Sequence, residues 1–436
     1  MGAWSIHRRE FLWVASAILC AAGIWLYAGR VIIPSQRAYA AAHGFSHGNH
    51  SDLYPRWFGA RELLLHGRDP YTMQMTAEIQ EGFYGRVLPP DAPGKAQNFQ
   101  QGFYYPVYVA FLLAPTFHLP FEIVQKIFLG ILVALTVATV PLWLYALRWR
   151  PPLWVQLTIL GFMLGSLPIM QGLKLQQMTL LVVPLLAGAM ALLVANHPIL
   201  AGALLALATI KPQLVWLVLL WLLIWTAADW RSRYSWLSSF VVSMTILCAA
   251  SAWYLPSWML RFWEAMREYH NYTGEMSVTQ LEIGFPASRV VELIALAIVA
   301  GICWRQRRRP ANSEAFAFCL SLVLAATILV VPSYGPYNQA LLLPAILIML
   351  KERRAIWARS TANRVLCMIV IGLFCWQWLW CMVLAALSFV LPMAAVERGL
   401  HLPLWTILLS PLGVAGAMLS CGLQRTFAAY ETAAPS

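Results

Sequence analysis

Apolar residues along this 436-residue chain form long runs, separated by short clusters of Lys and Arg. Runs of about 20 apolar residues match the thickness of a bilayer's hydrocarbon core when they are helical. The pattern predicts an all-α, polytopic transmembrane bundle that forms a single membrane domain over residues 1–436. About twelve spans are predicted, at residues 11–33, 121–147, 153–170, 178–195, 199–212, 213–228, 236–254, 287–304, 314–331, 337–350, 365–390 and 404–422.

A long polar segment, residues 34–103, separates the first two predicted spans and holds three of the chain's four Asp residues. A basic cluster precedes the first span, so the positive-inside rule places the N-terminus in the cytoplasm and this segment outside. Within it, residues 56–65 have the spacing of a short amphipathic helix. The apolar residues 104–119 that follow are too few to cross a bilayer and contain two prolines, which predicts a re-entrant or surface-lying helix.

Composition excludes several classes of protein. Hydrophobic residues make up 60% of the chain and charged residues 11%, whereas soluble proteins carry about 25% charged residues. A soluble enzyme, a secreted disulfide scaffold and a disordered chain are therefore excluded. The net charge of +12 comes from basic residues in short loops. This distribution indicates membrane topology and not a nucleic-acid partner. The eight cysteines lie in apolar runs and are interpreted as small core residues.

The alternation of spans and basic loops predicts where the chemistry lies. Both termini are expected in the cytoplasm, and the long loops all face the opposite side of the cell (inner) membrane, which is the periplasm or exterior. The outer segments are residues 34–103, 167–178, 210–212, 255–286, 332–339 and 391–403. We therefore expect the functional site on the outer face.

Asp52 is the first candidate, because it lies in the outer segment just before the predicted amphipathic helix. A carboxylate held over the mouth of the bundle suits a general base that deprotonates a sugar hydroxyl. The alternative is a structural Asp that caps the helix start and neutralises Arg56 or Arg61. Further on, Asp69 precedes a proline and predicts a turn, with a secondary role in positioning substrate.

Lys211 is the second candidate. It interrupts an apolar run over residues 200–227 and is followed by Pro212, which predicts a break in the helix. A lysine within the membrane is costly and therefore suggests a function, here binding the phosphate of a lipid head group at the outer interface. The alternative is a lysine that extends its side chain to the interface from a hairpin tip.

Three further outer turns carry polar residues. Lys174, Gln176 and Gln177 lie at one hairpin tip, where the amides suit sugar hydroxyls and the lysine adds a cation; an ordinary polar turn is the alternative. In the loop 255–286, His270 and its polar neighbours suit an acceptor, or form a solvated amphipathic surface. The turn 334–339 places Asn338 at the start of a span.

The order of these landmarks resembles glycosyltransferase family 87 of the GT-C superfamily, whose members use polyprenyl-phosphate mannose. The resemblance covers about residues 10–230. It rests on the motifs Ser51-Asp52-Leu53-Tyr54, His66-Gly67-Arg68-Asp69-Pro70-Tyr71, Phe103-Tyr104-Tyr105-Pro106, Gln176-Gln177 and Ile210-Lys211-Pro212.

The resemblance implies a GT-C-type bundle with short helices in its first outer loop. It also implies transfer of a sugar from a polyprenyl phosphate to a hydroxyl of a lipid or glycan acceptor, with inversion at the anomeric carbon. Asp52 is then the base, and Lys211, with Lys174, lies near the donor phosphate. We expect substrate contacts from Arg56, Asp69, Tyr71, Gln176, Gln177, His270, Tyr337 and Asn338. Neither a metal nor a cofactor is expected. A transporter or flippase of a lipid-linked sugar is the alternative function.

Overall fold

The computed structural model of the protein describes residues 2–45, 51–88, 101–274, 276–332 and 335–431. Within these ranges the chain is almost entirely helical and contains no β-strand, which confirms the predicted all-α membrane bundle. Asp91, the third Asp of the predicted outer segment 34–103, and Tyr334, the first residue of the predicted turn 334–339, lie outside the described ranges.

The described residues of the N-terminal half form twelve α-helices and two irregular helical turns. The α-helices are α1 (Gly2–Tyr27), α2 (Ile33–Ala42), α3 (Leu53–His66), α4 (Met73–Tyr84), α5 (Val109–Leu113), α6 (Phe121–Ala146), α7 (Leu153–Leu164), α8 (Leu167–Lys174), α9 (Thr179–Val194), α10 (Pro198–Ala208), α11 (Pro212–Ala227) and α12 (Trp230–Tyr254). A π-helical turn, Ala28–Ile32, joins α1 to α2, and a 3-10 turn, Ala114–Thr116, follows α5.

In the C-terminal half, the part of the chain that the structure describes adds ten α-helices and one longer 3-10 segment. The α-helices are α13 (Trp258–Thr273), α14 (Val278–Ile283), α15 (Ala287–Gln306), α16 (Glu314–Val330), α17 (Leu343–Lys351), α18 (Arg353–Arg359), α19 (Thr361–Leu387), α20 (Met393–Glu397), α21 (His401–Thr406) and α22 (Leu409–Glu431). The 3-10 segment, Pro336–Leu342, precedes α17 and packs against α8, α9 and α16.

Six helical stretches of the described residues are long and apolar enough to cross a membrane. A seventh arises if α7 and α8, which meet at 59°, form one bent span. Four shorter apolar helices, α9, α10, α11 and α16, pack largely inside the bundle. The protein is thus a polytopic membrane protein, while the count of twelve crossings stays a prediction.

The first helix is longer than its apolar run predicts. The chain is helical from Gly2 to Ala42, so the first nine residues assigned to the polar outer segment 34–103 continue the helix instead. Residues 34–42 are rich in alanine, a strong helix former. The π turn just before Pro34 accommodates the helical hydrogen bond that is missing because proline has no backbone N–H.

The segment 104–119 differs from the helix expected there. Regular α-helix is limited to Val109–Leu113, with a 3-10 turn after it, because each of the two prolines removes a backbone donor. Val107 and Val109 are fully buried, so the segment packs within the core of the described bundle. This packing lets the segment support α3, whose Gly59 is so close to Phe103 that a Cβ there would lie 2.7 Å from the ring.

Candidate functional site

Asp52 lies immediately before α3 and contacts the turn between α8 and α9. Its backbone N–H donates to the carbonyl of Leu175 at 3.1 Å. Its carboxylate Oδ2 accepts a hydrogen bond from Nε2 of Gln177. Asp52 occupies the N-cap position of α3, yet its side chain makes no capping hydrogen bond. The capping part of the structural alternative is therefore wrong, while its second part is supported for Arg56, whose charge lowers the pKa of Asp52.

The local sequence explains why α3 presents Asp52 to this turn. Leu53, Trp57 and Ala60 lie on the buried side of α3, so the helix is fixed by its apolar contacts. The helix ends at His66, one residue beyond the predicted limit, because Gly67 takes a left-handed conformation with φ of 66°. One residue earlier than Asp52, Ser51 donates from Oγ to Oε1 of Gln176 and links the two segments again.

The turn that carries the two glutamines is held on several sides. Gln176 has φ of 52°, a left-handed conformation that is unfavourable for a residue with a Cβ. Its amide compensates, because Nε2 donates to the carbonyl of Gln125 in α6 at 2.5 Å. Gln177 is 1% exposed and points to the opposite side of the turn, toward Asp52. The predicted polar hairpin tip is thus a buried junction between α3, α6 and α9.

Lys211 meets the same glutamine. The helix breaks between α10 and α11 as predicted, and the lysine is 6% exposed. Its Nζ donates to Oε1 of Gln177 at 3.2 Å and to Oγ1 of Thr179 at 2.9 Å. Thr179 in turn donates to Oδ1 of Asn338 at 2.7 Å. A continuous hydrogen-bonded chain therefore runs from Asp52 through Gln177, Lys211 and Thr179 to Asn338.

Aromatic rings and two more cations surround this chain. The Nζ of Lys211 lies 4.9 Å from the centre of the Tyr337 ring. The guanidinium of Arg56 lies 4.5 Å from the centre of the Tyr105 ring. Lys174 donates from Nζ to Oε1 of Gln36 in α2. The site thus combines one carboxylate, three basic side chains, amides and two tyrosines.

Burial and charge act in opposite directions on Asp52. Burial raises the pKa of this carboxyl above its ordinary value, since the charged form loses hydration. Arg56, Lys211, Lys174 and the Gln177 hydrogen bond each lower the pKa, but burial outweighs them. A carboxylate with a raised pKa is a stronger base than a free one, which suits proton abstraction.

Asp69 and Tyr71 lie at the edge of the site and bond within their own loop. The backbone N–H of Tyr71 donates to Oδ1 of Asp69 at 2.9 Å, which confirms the predicted turn. Oδ2 of Asp69 pairs with Nε of Arg261 in α13 at 3.4 Å. The Tyr71 hydroxyl donates to the carbonyl of Tyr105 at 2.6 Å. These bonds connect the loop after α3 to α13 and to the residue on which Arg56 stacks.

His270 lies in the last turn of α13, and within the described residues no contact joins it to Asp52 or Lys211. The neighbouring Tyr269 approaches the site instead, with its ring centre 4.6 Å from that of Tyr104. Sequence reasoning also missed Thr179 and assigned no role to Tyr105. Thr179 could have been noticed as the one hydroxyl at the start of an apolar helix, two residues after Gln177.

In the described part of the chain, no group of three or more His, Cys, Asp or Glu side chains is arranged to hold a metal ion. Within the described residues none of the eight cysteines forms a disulfide, and four of them are buried among apolar residues.

One comparison with known proteins gives a match. The model of glycosyltransferase family 87 matches residues 103–332, just over half of the chain. The match includes Gln176, Gln177 and Lys211 but begins after Asp52. It also extends about a hundred residues beyond the C-terminal limit expected from the motifs, which was residue 230. No curated protein and no solved structure is significantly similar to the chain.

Proposed function

We propose a specific reaction from the premise that the chain belongs to glycosyltransferase family 87 and is therefore a membrane glycosyltransferase. The proposed donor is mannose carried on a polyprenyl phosphate. The proposed acceptor is a hydroxyl of a lipid-linked sugar or a glycan. Transfer takes place on the outer side of the cell membrane, in the periplasm or exterior, with both termini in the cytoplasm.

The reaction requires one proton transfer and one displacement. Asp52 accepts the proton of the acceptor hydroxyl as its oxygen forms a bond to the anomeric carbon. The bond between that carbon and the phosphate oxygen breaks, and its electron pair leaves with the polyprenyl phosphate. A single displacement inverts the anomeric configuration. The base and the leaving phosphate must therefore lie on opposite sides of the sugar, with positive charge on the phosphate side.

The bridge between Asp52 and Lys211 is the observation that carries this proposal. A single amide, that of Gln177, donates to the carboxylate and accepts from the ammonium. The base and a cation are thereby fixed relative to each other before substrate binds, which is the preorganisation that catalysis needs. Among the described contacts, Gln177 engages Oδ2 of Asp52 and leaves Oδ1 for a substrate hydroxyl.

The remaining residues are proposed to bind substrate around this pair. Lys211 and Lys174 lie close enough to Asp52 to lower its pKa, and their charge favours the donor phosphate. Gln176, Tyr337 and Asn338 border the sugar. Asp69, Tyr71 and His270, which lie further out, belong to the acceptor side.

Transfer of label tests the function directly. The purified protein receives polyprenyl-phosphate mannose labelled in the sugar, together with a membrane lipid extract or water as acceptor. Label should move to a lipid or glycan product. Transfer from a different polyprenyl-linked sugar would retain the reaction and replace mannose. Movement of an intact lipid-linked sugar across vesicles, without cleavage of its phosphate bond, would contradict the proposal and support a flippase.

A further inference from the structure

The three cations of the site differ in how far the protein already satisfies them. Lys211 gives two of its N–H groups to Gln177 and Thr179, and its ammonium also lies over the Tyr337 ring. Lys174 donates to Gln36. Both ammonium groups are therefore engaged by protein partners, and Lys211 is almost fully buried by them.

Arg56 is different. Its Nε and Nη1 atoms are shielded from solvent, yet neither has a hydrogen-bond partner among the described residues. Its guanidinium rests on the Tyr105 ring and also hydrogen-bonds the Tyr105 side chain, but this contact leaves Nε and Nη1 without an acceptor. Leaving a buried N–H of a charged group unpaired is unfavourable by a few kcal/mol, so such groups are normally paired. An oxygen-rich anion bound beside Arg56 supplies the missing acceptors.

The position of Arg56 relative to the base fits a reacting ligand. Arg56 follows Asp52 by four residues, one turn of helix along. Such a pair commonly forms a salt bridge, but within the described residues none joins these two side chains. Gln177 holds the carboxylate and Tyr105 holds the guanidinium. Arg56 and Asp52 still attract each other electrostatically, while Nε and Nη1 of Arg56 stay open to another acceptor.

We propose that Arg56 directly binds the donor's phosphate and stabilises its charge as the glycosyl bond breaks. Lys211 then contributes its charge to the phosphate only from a distance. Its main role is that of a positioning residue that holds Gln177 against Asp52. The electron pair of the broken bond stays on the phosphate oxygen, whose growing charge the guanidinium meets with its open N–H groups. Arginine suits this role because it stays charged and offers several donors in one plane. The inference rests on the proposed function and assigns the contacts within it.

Binding of the leaving group tests the assignment without turnover. The probes are farnesyl phosphate, a short analogue of the product, and farnesol, which lacks the phosphate. Arg56→Gln should weaken binding of farnesyl phosphate roughly 10- to 100-fold, which is the loss expected for hydrogen bonds to a charged group. Farnesol binding should stay unchanged, and Arg56→Lys should restore part of the phosphate affinity.

Two variants serve as comparisons. Arg61→Gln removes the same charge from α3 at a residue that also packs on a ring, that of Trp57, and should leave farnesyl phosphate affinity within about 3-fold. Lys211→Met should lower the transfer rate more than the phosphate affinity, because its proposed effect passes through Gln177. If Lys211→Met loses phosphate affinity and Arg56→Gln keeps it, the assignment is reversed and the inference is overturned.

The test of the phosphate contact of Arg56 can fail without the proposed reaction failing, and the reverse also holds. Asp52→Asn should bind farnesyl phosphate normally and fail to transfer sugar. Full transfer by that variant contradicts the base assignment, whatever Arg56 does. An equal loss of farnesol and farnesyl phosphate in Arg56→Gln would overturn the phosphate contact and leave the reaction class untouched.

Discussion

Two carboxylates of this bundle, Glu292, which is buried, and Asp52, which is half-buried, have opposite surroundings. Glu292 in α15 is 4% exposed and accepts hydrogen bonds from Ser277 at 2.5 Å, from Thr279, and from Arg289 at 3.2 Å. Asp52 accepts one described side-chain hydrogen bond, from Gln177, with three cations nearby but not bonded to it. The protein saturates the first carboxylate and leaves the second with room for another partner.

This difference distinguishes a structural carboxylate, Glu292, from a carboxylate proposed to act as a base, Asp52. A buried charge that only holds segments together is most stable when its lone pairs are filled by the protein. Glu292 meets that condition and connects the N-terminal cap of α14 to α15. A base must instead keep an oxygen for the substrate, and its neighbours must supply charge without occupying it. Burial and an acidic side chain alone therefore do not identify the functional residue; unfilled bonding capacity does.

Replacing each carboxylate, Asp52 and Glu292, by the corresponding amide should give the largest difference between the two. Asp52→Asn keeps the shape and can still accept from Gln177, but it cannot take a proton, so the transfer rate should fall about 10²- to 10⁴-fold. Glu292→Gln should leave the rate within about 2-fold and lower thermal stability, because one hydroxyl or Arg289 loses its acceptor. Label-transfer rates and unfolding midpoints measure both. Equal loss of rate in the two variants would remove the distinction.

Gln177 is the next largest test, because it couples the base to Lys211. Gln177→Leu removes both bonds and should slow transfer about 10-fold, with the carboxylate free to rotate. A matched control is Gln377→Leu in α19, since Gln377 is equally buried and donates to Ser410 at 2.8 Å far along the chain. The control should keep its rate. A slow control would mean that losing any buried amide impairs the enzyme.

The acid limb of the pH–rate profile sharpens the contrast further. Because burial raises the pKa of Asp52, the base is protonated and transfer is lost as pH falls through a value above the ordinary carboxyl range. Lys211 lowers that pKa, so Lys211→Met should move the acid limb to higher pH. Lys351→Met removes the same charge from a lysine bonded to Leu147 and Glu314 and should leave the limb unmoved. A limb that stays in place in both variants would exclude Asp52 as the titrating group.

The sequence predicts the members of the site better than their connections. Asp52 and Lys211 stand out because a charge among apolar residues is costly wherever it lies. Their link through Gln177 joins residues 125 positions apart, and such a contact depends on how α3, α8 and α9 pack. Glu292 was missed for a related reason. With Arg289 three residues before it, the pair has the spacing of an ordinary exposed ion pair on a helix.

For the fold as well, local features could be predicted from the sequence and features that depend on tertiary packing could not. Helical type and membrane character follow from composition and run length, both of which are local properties. The true limits of α1 and α2 and the irregular segment 104–119 depend on proline geometry and on tertiary burial, which the length of an apolar run does not encode. Asp69 was predicted correctly as a turn residue because an Asp before proline carries its own local bonding preference.

The smallest expected effects come from two threonines, one bonded directly to Glu292 and the other bonded to Lys211 in the hydrogen-bonded chain that begins at Asp52. Thr279 donates to Glu292 and to the carbonyl of Leu329 at 3.2 Å, while Thr179 joins Lys211 to Asn338. Thr279→Val should cost about 1 kcal/mol of stability, the worth of a buried hydrogen bond, with no change in rate. Thr179→Val should slow transfer about 3-fold, because Lys211 loses one of the bonds that hold it against Gln177. Rates and unfolding midpoints for the pair distinguish a bond that supports the fold from one that supports the base. If Thr279→Val slows transfer as much as Thr179→Val, the Glu292 cluster acts on the site and the contrast between the carboxylates fails.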